Sequence, residues 1–287
     1  MFKNKLKGIA LASSLFLAIN LTACATTYIS KHKISNTVFK ELKKPKNKYA
    51  ILVLGAFPNK KMLDKNVQER ALKVYDNLKE LGFSDDNIYF LANHRADKEM
   101  DKSDEFFTNY GMRKVCSELS DKMTEDDLLI FCYIGHSKEA DYGNYALLKN
   151  IYEPDNPSLE TNDFYIAELE KELNKLKYNH AIMIFDSCYS GKFAKELKKD
   201  NRVIISTACD HQTTWVYSQF TTILTEALNG NKEADKNGDN RVSLEEAVNY
   251  AAEKDPWSKK KKGLKALFPE PQMYYEEVDP SQVFLKE

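Results

Sequence analysis

From residue 49 to residue 206 short apolar runs alternate with amphipathic stretches, and this alternation predicts an α/β fold on a mostly parallel sheet covered on both faces. Two observations carry the prediction. The runs are almost continuously apolar, as strands buried on both sides are, and the stretches between them repeat apolar residues every three or four positions, as one helix face does. Residues 49–56 (YAILVLGA) are the first strand. Val67, Ala71, Val74, Leu78 and Leu81 then make a helical stripe that stops at Gly82. Residues 87–92 are the second strand, 106–123 a helix and 128–134 (LLIFCYI) the third strand. Residues 137–161 hold no sustained period and contain Gly143, Pro154 and Pro157, so they read as a long loop or an insertion with short local structure. Ile166, Leu169, Leu173 and Leu176 mark another helix, followed by strands at 181–185 and 203–206. Helices are also expected at 220–228 and 244–252.

The chain has 287 residues, 42 Lys+Arg against 43 Asp+Glu, 10 Gly, 8 Pro and 5 Cys. These counts exclude a collagen-like, low-complexity or disulfide-stapled chain. Residues 1–23 hold three lysines and no acid; the other 264 carry 39 basic and 43 acidic side chains, a net charge of −4. No bulk electrostatic attraction to nucleic acid follows. Lys3, Lys5 and Lys7 precede an apolar run from Ile9 to Leu21 and then Leu21-Thr22-Ala23-Cys24, the three regions of a secretory signal. The run is shorter than the ~20 residues that span a bilayer. Leu-Thr-Ala-Cys resembles the bacterial lipobox, which implies lipidation at Cys24, export, and anchoring in the cell envelope. The expected organisation is a signal peptide at 1–23, a polar Lys-rich tether at 24–48, and one domain at 49–287.

In parallel α/β sheets, sites gather at the carboxyl ends of the strands. Here these ends carry Pro58-Asn59, Asn93-His94, Gly135-His136-Ser137, Asp186-Ser187-Cys188-Tyr189-Ser190-Gly191 and Cys209-Asp210-His211. A cysteine becomes a nucleophile when a histidine takes its proton, or when an imidazolium or a helix N-terminus lowers its pKa. Cys188 precedes a helix expected at 192–197, and if the third and fourth strands are neighbours, ~4.8 Å apart, His136 faces it across a cleft. The backbone N–H of Cys188 is then a candidate oxyanion donor.

Strand-Gly135-His136, followed 52 residues later by strand-Asp186-Ser187-Cys188-Tyr189-Ser190-Gly191, resembles the caspase-like cysteine peptidases, and among them the legumain type. The likeness spans roughly residues 49–228. It implies a three-layer αβα sandwich, a Cys188 nucleophile, His136 as general base and later acid, and Asn59 as the residue that orients the histidine. The family usually has glycine after the histidine, where its N–H completes the oxyanion hole; Ser137 stands there in this chain, which leaves an inactive, surface-binding relative as the alternative. The resemblance also makes Asp186 a specificity residue favouring Arg, Lys or Asn on the acyl side of the cleaved bond, and places Asp210 in a pocket wall. A transpeptidase using the same acyl-enzyme is not separable from a hydrolase by sequence.

Other chemistries fit less well. Gly135-His136-Ser137 is half a nucleophile elbow, with Asp186 and His211 in Ser…Asp…His order, but Glu139 replaces the second glycine. Gly191-Lys192 lacks the first glycine and the Ser/Thr of a phosphate loop, and the Cys/His spacings do not suit zinc. Cys209 with His211 is a weaker dyad, while Cys116 and Cys132 fall on apolar faces as core thiols. Finally, Asp235, Asn237, Asp239, Arg241 (through its carbonyl), Ser243 and Glu246 match a twelve-residue EF-hand loop, with Asn240 where glycine is usual, which predicts one structural Ca²⁺. Ser243 and Glu246 also form an S-x-x-E capping box. Lys259–Lys262 reads as a solvated surface, and the tail from Pro269 has no function assigned.

Overall fold

The computed structural model describes residues 39, 41–55, 65–92, 104–139, 145–148, 163–214, 218–258 and 269–286. Asn59, Cys24 and the signal segment lie outside them. Strands β1 (Lys48–Leu54), β2 (Ile88–Ala92), β3 (Glu105–Phe106), β4 (Leu128–Ile134), β8 (His180–Asp186), β9 (Arg202–Ser206) and β10 (Gln272–Tyr274) form one sheet in the order β10-β9-β8-β4-β1-β2-β3. Every pairing is parallel except β10 on β9. A small antiparallel sheet joins β5 (Ser137–Glu139), β6 (Tyr145–Leu148) and β7 (Asp163–Tyr165).

Helices α1 (Lys65–Glu80), α5 (Phe220–Leu228) and α6 (Leu244–Lys254) cover one face, and α2 (Asn109–Lys122), α3 (Ile166–Leu173) and α4 (Ser190–Glu196) the other. The two-residue strand period sorts the core. On β4, Leu128, Ile130, Cys132 and Ile134 pack toward α1, α5 and α6, whereas Leu129, Phe131 and Tyr133 pack toward α2, α3 and α4. The expected three-layer αβα sandwich is what forms.

Departures from the expectation are local. The long 137–161 loop opens with β5, a short polar strand, and contains β6, a four-residue apolar one (YALL), neither marked by a sustained period. The tail also joins the sheet: β10 pairs Met273 with Ile205 and Tyr274 with Ile204. Cys116, Cys132, Cys188 and Cys209 are buried free thiols, the first two in the core as expected.

Candidate active site

Strands β4 and β8 are adjacent, in a register that sets Ile134 opposite Asp186. His136 and Cys188 each stand two residues beyond that pair, at the carboxyl end of the sheet. The two turns are tied together. The Ser137 hydroxyl, fully buried, donates to the carbonyl of Cys188, and the Tyr133 hydroxyl donates to the carbonyl of His136 at 2.6 Å. A buried hydroxyl committed to a carbonyl is placed as a latch, not as the exposed nucleophile of a serine hydrolase.

Burial sets the charge states here. The His136 imidazole is pushed below its usual range by burial and, secondarily, by Lys138, so it rests neutral and ready to accept a proton. Burial pushes the Cys188 thiol above its usual range; its S–H points to the Thr214 carbonyl at 3.8 Å. The helix expected after Cys188 forms as α4, two residues on, and near its start Gly191 N–H is donated to Ala208 O and Lys192 N–H to Tyr189 O. A protonated thiol and a neutral imidazole at the ends of adjacent strands are the states from which general-base activation starts, not those of a preformed thiolate.

Tyr189, directly after Cys188, is in the left-handed region at φ 53°, a strained conformation for a tyrosine. Its N–H is held by Gln212 O at 2.7 Å. Gly191 lets the chain press on the next loop, since a methyl group there would lie 2.6 Å from the backbone nitrogen of Asp210. The stretch from Ala208 to Thr214 therefore lies against Cys188 and the turn that follows it. The Asp210 carboxylate itself is engaged by Lys195 at 2.5 Å and by His211 Nδ1 at 2.8 Å. Its burial alone would raise the pKa, but those two partners hold it below the usual carboxylate range.

Asp186 ends β8 on the face of α1 and α5, accepts the Thr221 hydroxyl at 2.8 Å and is only 5% exposed. Burial raises its pKa, and the nearby Arg70 guanidinium and Thr221 oppose the rise. Sequence reading missed Tyr133, Arg70 and Thr221. A signal existed for Arg70, a cation set among Val67, Ala71 and Val74 on the buried stripe of α1.

A model of the Peptidase C13 family matches residues 108–268, which include His136, Cys188 and the strands that carry them. The chain belongs to the Peptidase C13 family. This is the legumain family of caspase-like cysteine peptidases, whose substrates are peptides or proteins. No curated protein matches the chain. The C13 match runs through loop 235–246, between α5 and α6.

In that loop Asp235 accepts the N–H groups of Gly238 (2.8 Å) and Asn240 (2.9 Å), and Asp239 accepts that of Arg241 (2.8 Å). Asn240 has φ 66°, the left-handed conformation usually given to glycine at this position. Glu246 accepts the N–H groups of Lys236 and Asn237 with one oxygen and the N–H and hydroxyl of Ser243 with the other, while Ser243 Oγ accepts Glu246 N–H. The capping box is thus formed. Among the described residues no three His, Cys, Asp or Glu side chains converge as a ready metal cluster. The oxygen-rich donor set of Asp235, Asn237, Asp239, Ser243, Glu246 and the Arg241 carbonyl nonetheless has the chemistry that a hard cation takes.

Proposed function

We propose that the chain is a cysteine endopeptidase working through a Cys188–His136 dyad. The observation that carries this reading is the common placement of the two residues, each two positions past the registered ends of adjacent parallel strands, with their turns latched by Ser137. His136 takes the thiol proton as sulfur bonds to the peptide carbonyl carbon. The oxyanion so formed is received by the backbone N–H groups of Cys188 and Ser137. As the C–N bond breaks, the imidazolium returns its proton to the leaving amine, leaving a thioester on Cys188. Water then attacks that thioester with His136 again as base, releasing the acid and the thiol. Asn59 is assigned the orientation of His136 on family resemblance alone.

Cleavage is proposed after Arg, Lys or Asn. Arg70 beside Asp186 favours asparagine among the three: its neutral amide offers an N–H to the carboxylate and a carbonyl to the guanidinium, whereas a cationic side chain meets Arg70's repulsion. The deciding experiment is a fluorogenic peptide panel varied at the acyl-side residue, run on wild type and Cys188→Ala. Loss of turnover of at least ~10³-fold in the variant is expected. Equal turnover by both proteins would remove Cys188 from the chemistry, and silence from a folded wild type would favour the non-catalytic binding protein. Adding an amine nucleophile tells a transpeptidase from a hydrolase by its product.

Two further assignments go with this reading. Loop 235–246 holds one structural Ca²⁺, with Glu246 released from its cap to join the ligands. Cys24 carries the lipid that holds the exported domain at the bacterial envelope, so labelled palmitate enters the wild type and not Cys24→Ala.

A further inference from the structure

At the amino ends of the strands, the pole opposite Cys188, lies a cavity of about 470 Å³. Lys43, Lys44, Lys48, Arg241 and Lys286 line it, and Glu80 is the one carboxylate among its walls. The buried His180, which starts β8, lies at its back. The walls come from the chain's two extremities: residues 42–45 before β1, and 282–286 at the tail. Neither stretch belongs to a strand of the main sheet, yet both are fastened here. Asn179 Nδ2 donates to the Lys43 carbonyl at 3.1 Å, Lys48 Nζ to the carbonyls of Leu81 and Leu285, each at 2.7 Å, and Leu244 N–H to Val283 O at 2.8 Å. Arg241 lies on the Phe284 ring at 3.6 Å, which fixes its guanidinium while leaving its in-plane N–H donors for a ligand.

Five cations and a single carboxylate thus face one cavity, whereas several lysines elsewhere on the surface have a carboxylate of their own. Lys79, Lys114, Lys195 and Lys254 each have a carboxylate within 2.5–2.8 Å. Among the described residues Lys43, Arg241 and Lys286 form no salt bridge, although the chain as a whole carries slightly more acid than base. Cations held around one cavity repel each other until an anion enters it. A phosphate suits them better than a carboxylate: it brings up to two charges and three or four acceptor oxygens, enough for the Arg241 fork and several ammonium groups together.

We infer that this cavity binds a phosphate-bearing ligand, through Arg241, Lys43 and Lys286. A phosphate of this kind comes from a free phosphate ester or from an anionic lipid headgroup. The second source is within reach if Cys24 is lipidated, because residues 42–45 belong to the expected tether. Such docking would turn the carboxyl ends of the strands, with Cys188, away from the bilayer. The inference stands apart from the peptidase reading, since its readout is binding and not turnover.

The test is a thermal-shift titration of the full chain in non-ionic detergent, with inorganic phosphate against chloride at matched ionic strength. A saturable rise specific to phosphate is expected, its midpoint moved at least tenfold higher in Arg241→Gln. The Lys43→Gln/Lys286→Gln double variant, which leaves loop 235–246 intact, is expected to do the same and serves as the test if Arg241→Gln fails to fold. A response that chloride reproduces, or one unchanged in these variants, overturns the site. Micelles doped with phosphatidylglycerol or with phosphatidylcholine supply the second arm: tighter binding with phosphatidylglycerol than with free phosphate assigns the site to a headgroup, and equal binding assigns it to a soluble phosphate.

Discussion

Around Cys188 the turns are held from outside. Ser137 of β5 grips the Cys188 carbonyl, Tyr133 of β4 grips that of His136, and Gln212 and Ala208 accept the N–H groups of Tyr189 and Gly191. In loop 235–246 the polar side chains bind the loop's own backbone or that of the first turn of α6: Asp235, Asp239 and Glu246 accept six of its N–H groups. The first turn is a product of the sheet and keeps its shape only with the sheet. The second is built mostly by local sequence, and only its end, from Arg241 onward, also meets the tail and the core. Reacting groups need the former kind of support, because misplacement by an ångström is costly in rate.

The sharpest way to test the externally held turn is His136→Ala, for which kcat/KM is expected to fall ~10²–10⁴-fold while the melting temperature barely moves. The acid limb of the wild-type pH profile supplies the sign. His136 must be neutral to act as base, and burial and Lys138 hold its pKa below 6.5, so activity persists below pH 6.5 and is lost only as the pH falls through the lowered value. A midpoint above 6.5 would contradict the buried, neutral histidine. Gly191→Ala comes next. Its new methyl group meets the backbone nitrogen of Asp210 at 2.6 Å, with an expected cost of roughly 1–3 kcal/mol in denaturant unfolding and a loss of turnover in parallel. Gly238→Ala in the other loop has open space around it and only φ 76° to contend with, a penalty of about 1 kcal/mol with turnover retained. Equal losses of activity from the two glycine variants would erase the distinction between the turns.

Ser137→Ala removes one buried hydrogen bond, about 1 kcal/mol of stability, and loosens the Cys188 turn. A fall in kcat of about tenfold with KM unchanged marks Ser137 as a positioning residue; an unchanged kcat would reduce the latch to a structural contact.

The layered fold was legible because its cause is periodic. Strands such as 128–134 are apolar on both sides, and the stripe of Val67, Ala71, Val74 and Leu78 has one helical period, so neither depends on distant partners. Strands β5 and β6 were not legible, since their pairing is decided by β7 across an insertion and not by their own composition. Strand β10 hid for a related reason: Met273 is buried only because the edge of β9 is there to receive it. At the site, His136 and Cys188 could be placed from strand ends alone. Tyr133 and Thr221 could not, because an aromatic residue in a strand and a threonine in a helix look the same whether or not a hydroxyl reaches a neighbouring turn.

The smallest effect separates two roles for one side chain. As the cap of α6, Ser243 contributes whether or not an ion is present, so Ser243→Ala is expected to cost roughly 0.5–1 kcal/mol in chelator, measured by denaturant unfolding. As a ligand it contributes only when Ca²⁺ is bound. With a weak extracellular-type site of Kd ~10⁻³–10⁻⁴ M, ~10 mM Ca²⁺ stabilises the wild type by about 1.4–2.7 kcal/mol. If Ser243 is a ligand, the variant loses part of that increment as well as the cap. The cost of the substitution then grows on adding Ca²⁺. A cost that is the same in chelator and in Ca²⁺ leaves Ser243 a cap only, and a wild type that Ca²⁺ does not stabilise removes the ion from loop 235–246 altogether.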